Sequence, residues 1–209
     1  MLWFATMNRY SKNLGIFSSV LAALLTTLFG VFVVLNDKLI YFTSVLFLSI
    51  SVVIMIVSMK TFIPQQKEVF VSCAIAFGVV YAVLVSMVYY AQISVVLKGT
   101  LSSDLLNIVS DSPGTVFFFI DMLGYSFLCL ATLFMAFAID RRDLLFRISL
   151  LIHSALFIPT FLLPFLPITF STAESSGSTS GNFVLLAWCI IFVPVCLLLA
   201  RYFIKQKTS

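Results

Sequence analysis

Asp121 is the residue of this sequence with the most potential for chemistry, because it is an acidic side chain well inside a long apolar stretch. A carboxylate at the centre of a membrane helix costs about 2.5–3.5 kcal/mol on insertion scales. The stretch around it holds about a dozen Phe, Leu and Ile residues, which each return roughly 0.3–0.6 kcal/mol. Insertion is therefore still favoured, and such carboxylates usually face the interior of a helix bundle. Two interpretations are open: a group that binds a proton or a ligand, and an inert carboxyl that only hydrogen-bonds its neighbours.

Four further polar side chains fall near Asp121 when the apolar stretches are read as helices. Tyr125 continues the face of Asp121 one turn later. Tyr81, Tyr89 and Gln92 lie within about 80° of one another at 100° per residue. This pattern predicts an outer-side polar pocket between two helices, which binds or transports a small or lipid-like ligand or protons. The alternative is a belt of tyrosines that anchors the helices at the membrane interface.

His153 is the sole histidine and a candidate secondary polar site. It is either linked to Asp121 by a proton path through tyrosines or water, or simply packed as a neutral side chain. One histidine cannot build a metal site alone. The sequence has no H-E-x-x-H motif and no phosphate-binding glycine loop, and residues 124–128 lack the second glycine of a nucleophile elbow. We therefore expect no metal, no cofactor, no catalytic residues and no enzymatic activity.

The composition indicates a membrane protein. Hydrophobic residues make up 62% of the 209 residues, charged residues make up 10%, and the mean hydropathy is +1.17. A soluble domain is about one quarter charged, so this chain has too few charges to cover its surface in water. The basic residues form no stripe with interleaved aromatic residues, and no nucleic-acid partner is expected. The expected partner is the lipid bilayer, with a homo-oligomer or an unknown membrane partner left open.

Six stretches have the roughly 20 mostly apolar residues that a helix needs to cross the hydrocarbon layer. The predicted fold is all-α, one polytopic domain over residues 1–209 whose six transmembrane helices span about 14–35, 39–59, 69–97, 115–139, 144–167 and 183–204. In the long third–fourth connection, Ser102 or Ser103 is expected to cap a short interfacial helix that ends before Pro113. Pro159, Pro164 and Pro194 each remove a backbone donor and predict kinks in the last two helices.

Small residues spaced along two of the stretches mark helix faces that are expected to pack, because they let backbones approach closely. In the third stretch these residues are Ala74, Gly78, Ala82 and Ser86. In the first stretch they are Gly15, Ser19, Ala22, Thr26 and Gly30.

The distribution of basic residues predicts the orientation, since cytoplasmic segments collect Lys and Arg. Ten basic residues fall on the side that includes both termini, and only Lys38 and Lys98 fall on the other. Both termini are therefore expected in the cytoplasm. The group of ten is Arg9, Lys12, Lys60, Lys67, Arg141, Arg142, Arg147, Arg201, Lys205 and Lys207. The last six of these are expected to contact anionic lipids at the cytoplasmic face.

One region resembles a known group of proteins. The residues that carry the resemblance are Tyr89-Tyr90-Ala91-Gln92, Pro113, Phe117–Phe119, Asp121-Met122-Leu123-Gly124-Tyr125 and Leu130-Ala131. They are similar to a family of uncharacterised bacterial integral membrane proteins with six helices, a domain of unknown function. The resemblance covers mainly Tyr81 to Ala136. It implies a bacterial plasma membrane location and brings no known activity.

Two functions compete at this point. One is a multi-pass membrane protein that binds or transports a ligand or protons around Asp121. The other is a non-catalytic structural or interaction subunit of a membrane complex, in which the polar residues only hold helices together. An Asp121→Asn variant distinguishes them. The ligand, the choice between transport and sensing, the oligomeric state and the true start, Met1 or Met7, are left open by the sequence.

Overall fold

The computed structural model describes residues 2–162, 165 and 179–206. Within these residues the chain is helical and contains no strand, and six helical segments are long and apolar enough to cross a membrane. The predicted all-α fold with six apolar helices is thus confirmed. The main helices are α1 (Leu2–Leu35), α2 (Lys38–Met59), α3 (Glu68–Ser94), α4 (Ser103–Val109), α5 (Val116–Ala138), α6 (Leu144–Ser154), α7 (Phe157–Leu162) and α8 (Thr179–Lys205).

The spans form a closed ring in chain order. Helix α1 packs on α2, α2 on α3, α3 on α5, α5 on α6 and α7, and α8 closes the ring by packing on both α6 and α1. The largest buried side chains project into the shared interior, and each of the following is at most 1% exposed: Phe29, Phe42, Tyr81, Leu128 and Phe192. The ring therefore encloses one common core, into which side chains from five spans reach.

The small residues lie where helices touch, as their spacing predicted. A Cβ added to Gly15 would be 2.5 Å from the ring of Phe203 on α8. A Cβ added to Gly78 would be 2.9 Å from Ile56 on α2. Such distances leave no room for a side chain, so these glycines permit the close helix contacts.

The N-terminal part of α1 and the C-terminal end of α8 lie at the same end of the ring, here called the terminal end. Lys12 near the start of α1 donates to the carbonyls of Ile204 and Gln206 at the end of α8, at 2.9 and 2.6 Å. The connections 60–67 and 139–143 lie at this end too, since Lys67 bonds Asp140 at 2.7 Å. The Lys67 ammonium holds the pKa of the exposed Asp140 carboxyl below its usual value, chiefly through their hydrogen bond. Lys38 and Lys98 lie at the opposite end.

The fifth span consists of two helices, α6 and α7. The chain breaks at Ala155–Leu156, and Pro159, which has no backbone N–H, cannot bond the carbonyl of Ala155. That carbonyl accepts from the nitrogen of Ile158 at 3.4 Å, one residue earlier than in a regular α-helix. Pro194 lies inside α8, which continues past it. Pro164 lies outside the described residues.

The long connection between α3 and α5 contains α4, which begins at Ser103. Ser102 occupies the N-cap position, but its side chain makes no capping hydrogen bond. Gly114 then takes a positive φ of 93°, which a glycine adopts without steric cost. Thr115 caps α5 by accepting from the nitrogen of Phe118 at 3.2 Å. Its hydroxyl also donates to the carbonyl of Ser110 at 2.6 Å, so the cap and the connection are bonded together.

Candidate functional site

Asp121 lies in the second turn of α5 and is buried, with 9% of its surface exposed. Its Oδ2 accepts a hydrogen bond from the Tyr89 hydroxyl on α3 at 3.2 Å. Its Oδ1 has no hydrogen-bond partner among the described residues. The two helices approach closely here because Gly124 faces Val85, and a Cβ on this glycine would be 2.7 Å from the valine. Close packing at Gly124 thus brings the carboxyl within reach of Tyr89.

Tyr125 and Tyr81 continue the polar interior one turn below Asp121. Their ring centroids are 5.9 Å apart, and the residues are 4% and 0% exposed. The Tyr125 hydroxyl is close enough to Tyr89 for an electrostatic interaction, but it forms no hydrogen bond of good geometry with a described residue. The Tyr81 hydroxyl is likewise buried without a partner among those residues. Helical spacing grouped these three tyrosines with Asp121, and the structure places them together.

Gln92 has a different role from the other predicted members of the pocket. Its side-chain nitrogen donates to the carbonyl of Val109, at the end of α4, at 2.6 Å. No hydrogen bond joins it to Asp121, although its own oxygen is buried without a partner in the described part of the chain. Gln92 therefore holds the α3–α5 connection down onto the ring.

A second hydrogen bond also holds the α3–α5 connection, which lies at the end of the ring away from the terminal end. The Tyr41 hydroxyl on α2 donates to the carboxylate of Asp111 at 3.0 Å. Sequence reasoning did not single out either residue. Together, Tyr41 and Gln92 pin the connection that leads from α4 into the helix carrying Asp121.

His153 lies in the interior at the end of α6 and is fully buried. Its Nδ1 is 2.9 Å from the hydroxyl of Thr132 on α5, and its ring packs against Phe192 with centroids 4.8 Å apart. Its Nε2 has no hydrogen-bond partner among the residues that the structure describes. His153 does not contact Asp121 directly.

Trp188 on α8 lies between Tyr125 and His153. Its ring centroid is 5.0 Å from that of Tyr125 and 6.3 Å from that of His153. Its indole nitrogen is buried without a described partner. Sequence reasoning missed this residue, because a tryptophan toward one end of a membrane helix usually anchors at the interface. Trp188 faces the interior because α8 packs against both α1 and α6.

These six residues form a continuous group that we call the polar column: Tyr89, Asp121, Tyr125, Tyr81, Trp188 and His153. From Asp121 to Thr132, which bonds His153, α5 rises about 16 Å at 1.5 Å per residue. A hydrocarbon layer is about 30 Å thick, so the column crosses roughly half of it. Five of its polar atoms have no hydrogen-bond partner among the described residues: Asp121 Oδ1, the Tyr81 and Tyr125 hydroxyls, Trp188 Nε1 and His153 Nε2.

Three of the basic residues at the terminal end line one cleft. Arg142, Arg201 and Lys205 converge on a cleft of about 160 Å³ between α6 and α8, which Asp143 also lines. Arg141 and Arg147 do not line the cleft. Lys207, also predicted to contact lipid, lies outside the described residues.

A second cavity, of about 360 Å³, lies between α5 and α7 and has almost wholly apolar walls. No residue of the polar column lines either of these two cavities. Within the described ranges, no group of three or more His, Cys, Asp and Glu side chains is placed to hold a metal ion. Comparison with protein-family models, with curated proteins and with solved structures gave no match.

Proposed function

We propose that this multi-pass membrane protein binds and conducts protons along the polar column, between Asp121 and His153. The observation that carries the proposal is the run of buried polar atoms without hydrogen-bond partners between a carboxyl and an imidazole. Asp, Glu and His chains of this kind serve as proton relays within membranes.

The energetic cost of the column supports a role beyond packing. A buried polar atom left without a hydrogen bond costs about 1–3 kcal/mol. Five such atoms would cost about 5–15 kcal/mol, which is comparable to the whole stability of a typical protein. Buried water molecules with two to four polar partners offset such costs in folded proteins. Water molecules hydrogen-bonded to the column would also be the medium through which protons move.

The tight packing favours protons over a larger ligand. Tyr81 and His153 are fully buried, and Tyr125 and Trp188 are 4% and 8% exposed. The α6–α8 cleft and the α5–α7 cavity are lined by other residues. A carboxyl and an imidazole are groups that gain and lose protons, and the three tyrosine hydroxyls both donate and accept hydrogen bonds.

We further propose that the protein resides in the plasma membrane with both termini in the cytoplasm. The ten-to-two distribution of basic residues supports this orientation. Asp121 then lies in the outer half of the membrane and His153 in the inner half. The groups facing Asp121 at the outer end are Tyr89 and, through longer-range electrostatic interactions, Tyr41 and Asp111.

The test is proton flux into liposomes that hold the purified protein and a trapped pH-sensitive dye. An imposed potential should drive faster acidification with the wild type than with empty liposomes. Asp121→Asn retains a polar group for Tyr89 but cannot exchange a proton at neutral pH, and it should lower the flux at least about tenfold, equivalent to about 1.4 kcal/mol in a barrier. His153→Gln should lower it similarly.

Asp104→Asn is the matched control, because Asp104 is an exposed acidic residue on α4 outside the column. It should leave the flux unchanged. Equal flux through the wild type and the folded Asp121→Asn variant would refute proton conduction. That result would favour the alternative of a structural or interaction subunit.

A further inference from the structure

We propose that the cleft between α6 and α8 at the terminal end is a binding site for the headgroup of an anionic phospholipid. The basic cleft is lined by Arg142, Asp143, Leu144, Leu145, Phe146, Leu198, Arg201, Tyr202 and Lys205. The proposal is independent of proton conduction, since the cleft and the polar column share no residue.

The charge of the cleft matches an anionic headgroup. Three cationic side chains and one carboxylate line it, which leaves a formal excess of two positive charges. Lys205 is 3.5 Å from the Asp143 carboxylate, so that pair is partly compensated. Neither arginine is within ion-pair distance of a carboxylate in the described part of the chain. Arginine side chains without a carboxylate partner can bind phosphate oxygens with paired N–H donors.

Other lysines at the same end already have partners. Lys12 donates to two backbone carbonyls, Lys60 pairs with Glu68 at 2.9 Å, and Lys67 pairs with Asp140. Arg142 and Arg201 therefore bring uncompensated positive charge to the cleft, while Arg141 and Arg147, which also have no ion pair among the described residues, lie outside it.

The apolar walls identify a lipid rather than free phosphate as the ligand. Leu144 and Leu145 are 57% and 69% exposed beside the arginines, and Leu198 completes the apolar lining. Phe146 and Tyr202 pack with ring centroids 5.7 Å apart and give the site a rigid side. Basic groups next to exposed leucines at the end of two membrane spans match a molecule with an anionic head and acyl chains.

The test is lipid binding by the full chain purified in phosphatidylcholine-containing micelles, followed by native mass spectrometry during titration with phosphatidylglycerol. The wild type should bind phosphatidylglycerol in preference to phosphatidylcholine. The double variant Arg142→Gln/Arg201→Gln should bind it more than about tenfold more weakly, because each basic group near a lipid headgroup gives about fivefold. Arg141→Gln is the matched control, from the same turn but outside the cleft, and should bind like the wild type.

A variant that is expected to strengthen lipid binding keeps the test decisive even if the double variant folds poorly. Asp143→Asn removes the cleft's carboxylate, frees Lys205, and should strengthen phosphatidylglycerol binding severalfold. Equal binding of the two lipids by the wild type would overturn the proposal. So would weakening by Arg141→Gln as large as that by the double variant, no gain from Asp143→Asn, or displacement of phosphatidylglycerol by inorganic phosphate at a similar concentration.

Discussion

At the scale of single residues, the hydrogen bond from Tyr89 to Asp121 joins α3 to α5 inside the ring. It is the sole hydrogen bond to this carboxyl from any described residue. Loss of the Tyr89 hydroxyl would leave the carboxyl with no donor from the protein in an apolar interior. This contact therefore combines a structural role with a direct influence on the group proposed to carry protons.

Tyr89→Phe should lower the stability of the protein by about 0.6 kcal/mol and by no more than about 1.7 kcal/mol, the average and the largest value for hydrogen bonds between membrane helices. The neighbouring Tyr90 is 65% exposed and provides a matched control. Tyr90→Phe should change stability by less than about 0.5 kcal/mol, as surface substitutions usually do. Unfolding of both variants in mixed micelles, followed by circular dichroism, measures the difference. Equal effects of the two substitutions would show that the bond to Asp121 adds nothing to stability.

The sequence could predict residue-level features whose signal lies within one helix. The insertion cost of Asp121 and its four-residue spacing from Tyr125 both follow from the geometry of α5 alone. Trp188 was missed because its inward direction depends on how α8 packs against α1 and α6. The partner of Gln92 was missed for a similar reason, since Val109 belongs to a connection whose path no helical periodicity predicts.

At the scale of the helices, the contact of α3 with α5 positions the outer half of the polar column. Gly124 faces Val85, whose side chain is fully buried and branched at Cβ. A branched side chain has few alternative rotamers in a helix, so it cannot turn away easily. Any side chain at position 124 must therefore push the two helices apart.

Gly124→Ala should destabilise the protein by about 1–3 kcal/mol, the usual cost of overpacking an interior. Val85→Ala removes the obstructing methyl groups and should restore part of the loss in the double variant. The coupling between the two substitutions should reach about 0.5 kcal/mol or more, as expected for residues in contact. Stability of the wild type, both single variants and the double variant in micelles completes the cycle. Strictly additive effects would mean that the helices do not meet at this point.

The break in the fifth span shows what the sequence predicts about helices and what it leaves out. Pro159 has no N–H to donate to the carbonyl of Ala155, and the chain breaks at Ala155. The outcome, two helices rather than one bent helix, depends on packing as well. Thr160 of α7 accepts a hydrogen bond from Ser126 of α5 at 3.0 Å, which holds the second segment in place.

At the scale of the whole molecule, the closed ring sets the direction of the polar column. The N-terminal part of α1, the end of α8 and two connections share the terminal end, where all the described basic residues except Lys38 and Lys98 lie. Asp121 is about 8 Å from the start of α5 at the opposite end, at 1.5 Å per residue. The side of the membrane that the terminal end faces therefore decides which compartment is nearer to Asp121.

Reporter fusions determine that side. A fluorescent reporter that folds only in the cytoplasm, joined after Ser209 or inserted within residues 60–68, should be active. The same reporter within residues 171–182 should be inactive, whereas a phosphatase that requires the outer compartment should be active there. The reason is the basic residues at the terminal end, because positively charged short connections are retained in the cytoplasm. Substitution of Lys38 and Lys98 by Gln, which strengthens the bias, is the control and should leave every signal unchanged. A cytoplasmic signal from 171–182 would reverse the orientation, place Asp121 in the inner half of the membrane, and require protons to reach it from the cytoplasm.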